Sequence, residues 1–253
     1  SRDGISFAVG TYGMSTIEVM LGDELNQRHN ALITGAVGQG KSNLISVVVH
    51  SLCQRYSPSE VEFYMLDFKE GVTLQAFAPD PITGSFLPHA RVLGLDADRE
   101  YGVNVLRHLF AIYRQRMATF KAAGVQNIRQ YRLADPEAVM PRIVVVIDEF
   151  QMLFEGNDDV ARDAASDLII KGARLFRACG IHFILASQTI GSGGMLGGTT
   201  GQALFAQIPV RLALKNSLAE SHATLGLKND AASHIRSREA IVNLDYGELS
   251  SNR

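Results

Sequence analysis

Short apolar runs alternate along the chain with longer stretches whose apolar residues return every three or four positions. The runs at 31–34, 61–66, 90–95, 143–147, 182–186, 210–214 and 240–244 have the length of strands. Stretches 42–56, 99–123 and 160–178 have the helical period. In the second of these, Val103, Leu106, Phe110, Tyr113 and Met117 fall on one helix face, and Asp98 or Asp96 is placed to cap its start. Run 143–147 is apolar at every position, so it has no wet face. Strands buried on both sides belong to parallel sheets covered by helices, and the alternation of strand and helix predicts the same α/β class. Ahead of this pattern, 5–9 and 16–20 read as a β hairpin turning near Tyr12 and Gly13.

Two segments break the alternation. Residues 191–201 hold six glycines and no charge, the composition of a flexible loop. Residues 78–88 hold three prolines and Gly84. Both follow expected strand ends, and open parallel sheets bind ligands outside the carboxyl ends of their strands.

A chain of 253 residues, 46% hydrophobic and 20% charged, fits a single globular domain over 1–253, with 1–28 as an N-terminal β extension. With 24 Lys+Arg against 26 Asp+Glu, a surface basic throughout is excluded. A local patch is not: Arg107, Arg114, Arg116, Lys121, Arg129 and Arg132 follow one another with no acid between. That stretch suits either the phosphates of DNA or a solvated helix face. Cys53 and Cys179 lie far apart in apolar surroundings and read as buried free thiols, which points to a cytoplasmic setting. The apolar runs are too short to cross a bilayer. The start at Ser1-Arg2-Asp3-Gly4 carries no signal-peptide pattern and reads as a piece of a longer protein, whose membrane anchor would lie elsewhere.

The chemistry is carried by Gly35-Ala36-Val37-Gly38-Gln39-Gly40-Lys41-Ser42, which follows a strand and opens a helix. This is GxxxxGK[ST] in its required context. The glycines let the backbone curl so that successive N–H groups face phosphate oxygens, and the helix start adds its positive dipole end. Lys41 reaches the outer phosphates of ATP, and the Ser42 hydroxyl suits Mg²⁺. A second acidic group is needed for that metal. Run 143–147 supplies it, delivering Asp148 to the Mg²⁺ shell. By strand alternation Glu149 follows on the opposite face, placed to polarise the attacking water. The seven histidines show no ligand spacing, so no metal beyond Mg²⁺ is expected.

Extra strands between the phosphate loop and Asp148 indicate the RecA-like, additional-strand branch of P-loop NTPases. The chain resembles the FtsK/SpoIIIE motor domain of the HerA–FtsK superfamily over nearly its whole length. The matching pieces are 31–35 leading into the phosphate loop, Leu66-Asp67-Phe68-Lys69-Glu70-Gly71, Leu87-Pro88-His89, Val146-Ile147-Asp148-Glu149-Phe150 and the stretch 177–188. The resemblance implies an ATP-hydrolysing ring, a homo-oligomer of six subunits. It makes Gln188 a polar sensor of the γ-phosphate at a strand end. It makes Arg177 an arginine finger acting in trans, with Arg174 as competitor. Double-stranded DNA is the expected cargo. The Asp67-Phe68-Lys69-Glu70-Gly71 ending is closer to type VII secretion motors related to EccC, which makes a polypeptide the alternative; a non-translocating nucleotide switch is a third. Where those motors carry Arg after the sensor Gln, this chain has Thr189 and then the glycine-rich segment.

Overall fold

The computed structural model describes residues 1–69, 72–191 and 195–253. Glu70 and Gly71, from the strand-end motif, and Ser192, Gly193 and Gly194, from the glycine-rich segment, lie outside the described residues.

The expected hairpin is present as β1 (Ile5–Tyr12) and β2 (Ser15–Leu21), paired antiparallel. Ile5, Phe7, Val19 and Leu21 are buried and belong to the same apolar cluster as α1 (Lys41–Arg55). The amides of Ser6 and Ala8 donate to the Tyr56 hydroxyl and Ser51 Oγ at 2.9 Å each, which fastens the hairpin to that helix.

The remaining strands form one sheet: β3 (Ala31–Thr34), β4 (Val61–Asp67), β5 (Ala90–Gly94), β6 (Arg142–Asp148), β7 (Ile181–Ser187), β8 (Val210–Leu214) and β9 (Ala240–Asn243). Their order is β5-β4-β6-β7-β3-β8-β9, parallel throughout except that β9 runs antiparallel to β8. Strand β6 shows why its run is apolar at every position. Val145 and Ile147 pack with Leu106 of α2 (Arg99–Ala122) and Phe176, while Val144 and Val146 pack on the other side with Leu44 and Val48 of α1. Helices therefore cover both faces.

Asp98, not Asp96, caps α2, accepting from the Tyr101 amide at 2.7 Å. The stretch expected as one helix to 178 is α4 (Asp159–Leu175), which tightens into a 3₁₀ turn over Phe176–Cys179 and stops at Gly180, whose φ is 74°. Four shorter helices were not expected: α3 (Ile128–Ala134), α5 (Thr199–Phe205), α6 (Leu218–Leu225) and α7 (Ala231–His234). One or two turns are too few to display a period.

Two members of the basic stretch do not face solvent. Arg116 is buried and donates to the carbonyls of Cys179 and Pro141 at 2.7 Å each. Arg132 is buried and donates to Ser1 Oγ and the Met140 carbonyl. Arg142, fully buried, joins them, holding the carbonyls of Ser1 and Arg2 and meeting His182 Nε2 at 3.1 Å. Cys179 is buried as expected but Cys53 only half so; both are free, and burial pushes each thiol up to about 11. Among the described residues no helix is long and apolar enough to cross a membrane.

His29, next to this cluster, is buried with neither ring nitrogen hydrogen-bonded among the described residues. Burial first, then the charges of Arg177 and Arg142, lowers its pKa from 6.5 to about 4. His182 is shifted in the same direction by burial and Arg142. The unfolded chain takes up the His29 proton near pH 6.5 while the fold resists it until near pH 4. Stability is therefore complete above pH 6.5 and falls as the pH drops toward 4, by about 3 kcal/mol for His29 alone. Urea midpoints measured from pH 7 to pH 4.5 should drop, less steeply in His29→Gln; a wild-type midpoint flat over that window contradicts the assignment.

Candidate functional site

The register of the parallel strands gathers the predicted residues. Thr34 lies opposite Ser187, Ala186 opposite Asp148, and Asp148 opposite Asp67. The phosphate loop, Gln188 and the two acids thus leave the sheet along one carboxyl edge, where loop and helix starts concentrate polar groups.

At the loop, Gly35 is required by close approach, since a Cβ there would stand 2.8 Å from Leu214 Cβ. Gly38 and Gly40 have φ of 76° and 104°, a region closed to most side chains. Ala36 N–H donates to the Lys215 carbonyl and Gln39 N–H to Ala36. The amides of Gly38 and Gly40 meet no acceptor among the described residues, and the first-turn amides of α1, Lys41 and Ser42, have none within a helix. Together they make an inward-facing set of donors suited to an anion.

Lys41 is buried, and its Nζ donates to Asp148 Oδ1 and, at 2.7 Å, to Glu149 Oε1. The phosphate loop and the acids ending β6 therefore share one ammonium. Here one expectation is corrected: Glu149 is not on the face opposite Asp148. Strand β6 stops at Asp148, and Glu149 takes a left-handed conformation, φ 55°, that turns its carboxylate to the same side. A non-glycine residue held there is strained by roughly 1–2 kcal/mol, and such strain gathers at functional sites. The conformation is fixed by its own amide, which donates to Asp148 Oδ1 at 3.0 Å, and by Gln151 Nε2, which donates to Glu149 Oε2 at 2.5 Å. Burial alone would raise the Glu149 carboxyl; the hydrogen bond and charge of Lys41, with Gln151, outweigh it and hold it below the usual value. It is ionised at neutral pH, as a proton acceptor must be.

Four neighbours were not singled out beforehand as site residues. Asp67 ends β4 as Asp148 ends β6, a repetition visible in the sequence. It is fully buried; Oδ1 accepts from the Lys69 amide at 2.9 Å, while Oδ2 has no partner among the described residues. Burial, and then the adjoining Asp148, raises its pKa. Lys69 Nζ approaches Gln188 Oε1 at 3.4 Å, and Thr73 Oγ1 lies 2.9 Å from the exposed Ser42 Oγ. Lys69 belongs to the strand-end motif quoted above, whereas Thr73, like Gln151, carries no signal readable from sequence. Gln188 follows the last residue of β7, as expected, and Asn216 Nδ2 holds its carbonyl at 3.3 Å. Glu220, buried on α6, accepts from the amides of Ile190 and Gly191 and so anchors the start of the glycine-rich segment.

A cavity of about 580 Å³ opens on the loop, lined by Ala36, Gly38, Gln39, Gly40, Lys41, Ser42 and Gln188 among others, and Val37 stands exposed on the loop outside it. Asp148 and Glu149 stand behind Lys41. Among the described residues no three His, Cys, Asp or Glu side chains converge as a metal cage. The donors fit Mg²⁺ nonetheless, because that ion takes one or two carboxylates and completes its shell with phosphate and water oxygens. Arg177 and Arg174 are exposed, but just before β7, at its amino end. The strand sets them roughly 20 Å from the carboxyl edge. Neither joins Lys41, Asp148, Glu149 and Gln188 in the same copy of the chain.

The FtsK/SpoIIIE family model matches residues 5–192. The chain is 24% identical over 241 residues to the ESX secretion system protein YukB of Bacillus subtilis, covering 93% of this chain and 15% of that protein. It is 29% identical over 239 residues to the DNA translocase FtsK of Oceanobacillus iheyensis, covering 91% of this chain and 28% of that one. It thus spans under a third of either relative. Among solved structures, the cytoplasmic domain of the type VII secretion ATPase EccC of Thermomonospora curvata superposes with a TM-score of 0.76 at 22% identity, over 96% of this chain and 27% of that one. The pCW3 conjugation coupling protein TcpA superposes with a TM-score of 0.73 at 21% identity, over 97% and 67%. These likenesses establish the fold as the RecA-like P-loop α/β fold, with its mostly parallel sheet between helices.

Proposed function

Because the chain belongs to the FtsK/SpoIIIE family, we propose that residues 1–253 form one ATP-hydrolysing motor unit that works in a ring of six copies. The observation that carries this reading is the Lys41 ammonium held between Asp148 and Glu149 at the mouth of the phosphate loop. Gly35, Ala36, Val37, Gly38, Gln39 and Gly40 wrap the phosphates with their backbone, and Lys41 turns its donors to the outer phosphate oxygens. Ser42 and Asp148 would hold Mg²⁺, which when bound offsets phosphate charge. Glu149 orients a water and takes its proton as the water oxygen attacks the γ-phosphorus, and ADP leaves. Gln188, an uncharged amide at the end of β7, registers the γ-phosphate without competing for the metal. Arg177, at the far edge of the sheet, completes the site of the neighbouring copy. Work at the cytoplasmic face of a membrane, through segments outside this chain, belongs to the same reading.

Double-stranded DNA is the cargo we favour. With Arg116 and Arg132 buried, the exposed cations Arg107, Arg114 and Lys121 remain on α2. Spaced by seven, they form one stripe with about 10 Å between members. Duplex DNA should stimulate ATP hydrolysis, with the stimulation fading steeply as salt rises. Charge reversal at Arg107, Arg114 and Lys121 together should flatten that salt slope and leave the DNA-free rate alone. A DNA-indifferent rate at every salt concentration would instead support a polypeptide cargo. That second reading is favoured by the Asp67-Phe68-Lys69 ending of β4 and by relatives named as secretion proteins.

A further inference from the structure

The turn from β8 into α6 touches the nucleotide site twice. The Lys215 carbonyl accepts from Ala36 N–H of the phosphate loop at 3.1 Å. Asn216 Nδ2 donates to the carbonyl of Gln188 at 3.3 Å, and the Asn216 amide is itself held by the Ala232 carbonyl at 3.0 Å. Ser217 caps α6, its Oγ accepting from the Glu220 amide at 3.2 Å, which places Glu220 in the first helical turn. Phosphate loop, turn and sensor strand are joined by hydrogen bonds.

Glu220 is only 7% exposed, and among the described residues no cation pairs with it. Its Oε2 accepts from Ile190 N–H at 2.8 Å, and Gly191 N–H lies 3.1 Å from Oε1 and 3.2 Å from Oε2. Two oxygens facing successive amides suit a carboxylate, whereas a glutamine would set a donor of its own against one of them. An acid in the first turn serves its helix equally well from the surface, and burying it without a cation is costly. Its inward turn therefore answers to the chain it holds. A Cβ on Gly191 would stand 2.9 Å from Ala223 Cβ, so this chain is pressed directly onto α6. On the other side of Gln188, Ser187 Oγ accepts from the Thr189 amide at 3.1 Å. Gln188 is thus fixed before it, at its carbonyl and after it, while its half-buried side chain lines the phosphate cavity.

Resting on the role proposed above for Gln188, we infer that Glu220, assisted by Asn216, is a positioning residue for that γ-phosphate sensor. It touches no phosphate. By holding the amides of Ile190 and Gly191 it fixes where the Gln188 side chain stands, and a displacement of about 1 Å at such a group costs up to about a hundredfold in rate.

The test is a double-mutant cycle on the whole chain, reading ATP turnover and ADP affinity, each scaled to folded protein. Glu220→Gln should lower kcat about tenfold while KM for ATP and the affinity for ADP stay within about twofold. In a Gln188→Ala background the same substitution should cost less than about twofold more, because the group it positions is gone. Asn216→Ala, at a half-buried position, should show the same pattern with a smaller loss, and it carries the test if Glu220→Gln does not fold. Wild-type kcat in both variants, a full further loss on top of Gln188→Ala, or a parallel fall in ADP affinity overturns the inference while the nucleotide site stands. Wild-type turnover in Gln188→Ala removes the sensor and this inference with it. Absence of ATP turnover in wild type removes the proposed function itself.

Discussion

Glu149→Gln should bind ATP and Mg²⁺ close to normally and lose between about a hundredfold and ten-thousandfold in turnover, the usual worth of a positioned general base. The substitution keeps shape and volume. Its amide oxygen can still accept from Lys41, and Asp148 still pairs with the ammonium. What disappears is the capacity to take a proton from water. Lys41→Ala is the contrasting case. It removes the cation from between two buried carboxylates, so it should abolish nucleotide binding and also lower stability by about 3–5 kcal/mol, the penalty of leaving buried charge unpaired. Steady-state phosphate release beside equilibrium ATP binding, each scaled to folded protein, separates the two. Wild-type turnover in Glu149→Gln removes the residue from its role.

The contrast also marks how far the sequence could be read. The phosphate loop and the acid-ending strand were legible because each is local: glycines at fixed spacing, and five apolar residues followed by two acids. The sheet was legible because burial on both faces leaves no polar position between Arg142 and Asp148 in β6. The face on which Glu149 lies was not. Strand alternation predicts the wrong side, and the left-handed residue that corrects it is a glutamate, with none of glycine's signal. The buried arginines were equally hidden. Charge suggests a surface, yet Arg116 and Arg142 satisfy backbone carbonyls distant in sequence, those of Cys179 and Ser1, and Arg132 reaches the hydroxyl of Ser1. Asp67 lay in plain view as a second strand-ending acid, but its contact with the site is set by β4–β6 register, which no local pattern encodes.

Arg177→Ala should cost about a thousandfold or more in turnover of the assembled ring, the range measured for arginine fingers, with ATP affinity little changed. The placement dictates how that loss must behave. Arg177 sits at the amino end of β7, a full strand length from the Lys41 site of its own copy, so on the proposed reading its loss would disable a neighbour's site. A ring mixed from Arg177→Ala and Lys41→Ala subunits therefore contains competent interfaces, wherever an intact phosphate loop meets an intact Arg177. Random equal mixing makes about a quarter of the interfaces competent, so activity should return to roughly that fraction of wild type although neither variant works alone. Arg174→Ala, one turn earlier on α4, is the comparison: rescue with Arg174→Ala but not with Arg177→Ala transfers the role. A purely structural Arg177 gives a different signature. Its charge lowers the His29 pKa, so its removal would relieve the acid-side loss of stability in every subunit and show no dependence on mixing. Persistent inactivity in rings demonstrated to be mixed leaves only that structural role.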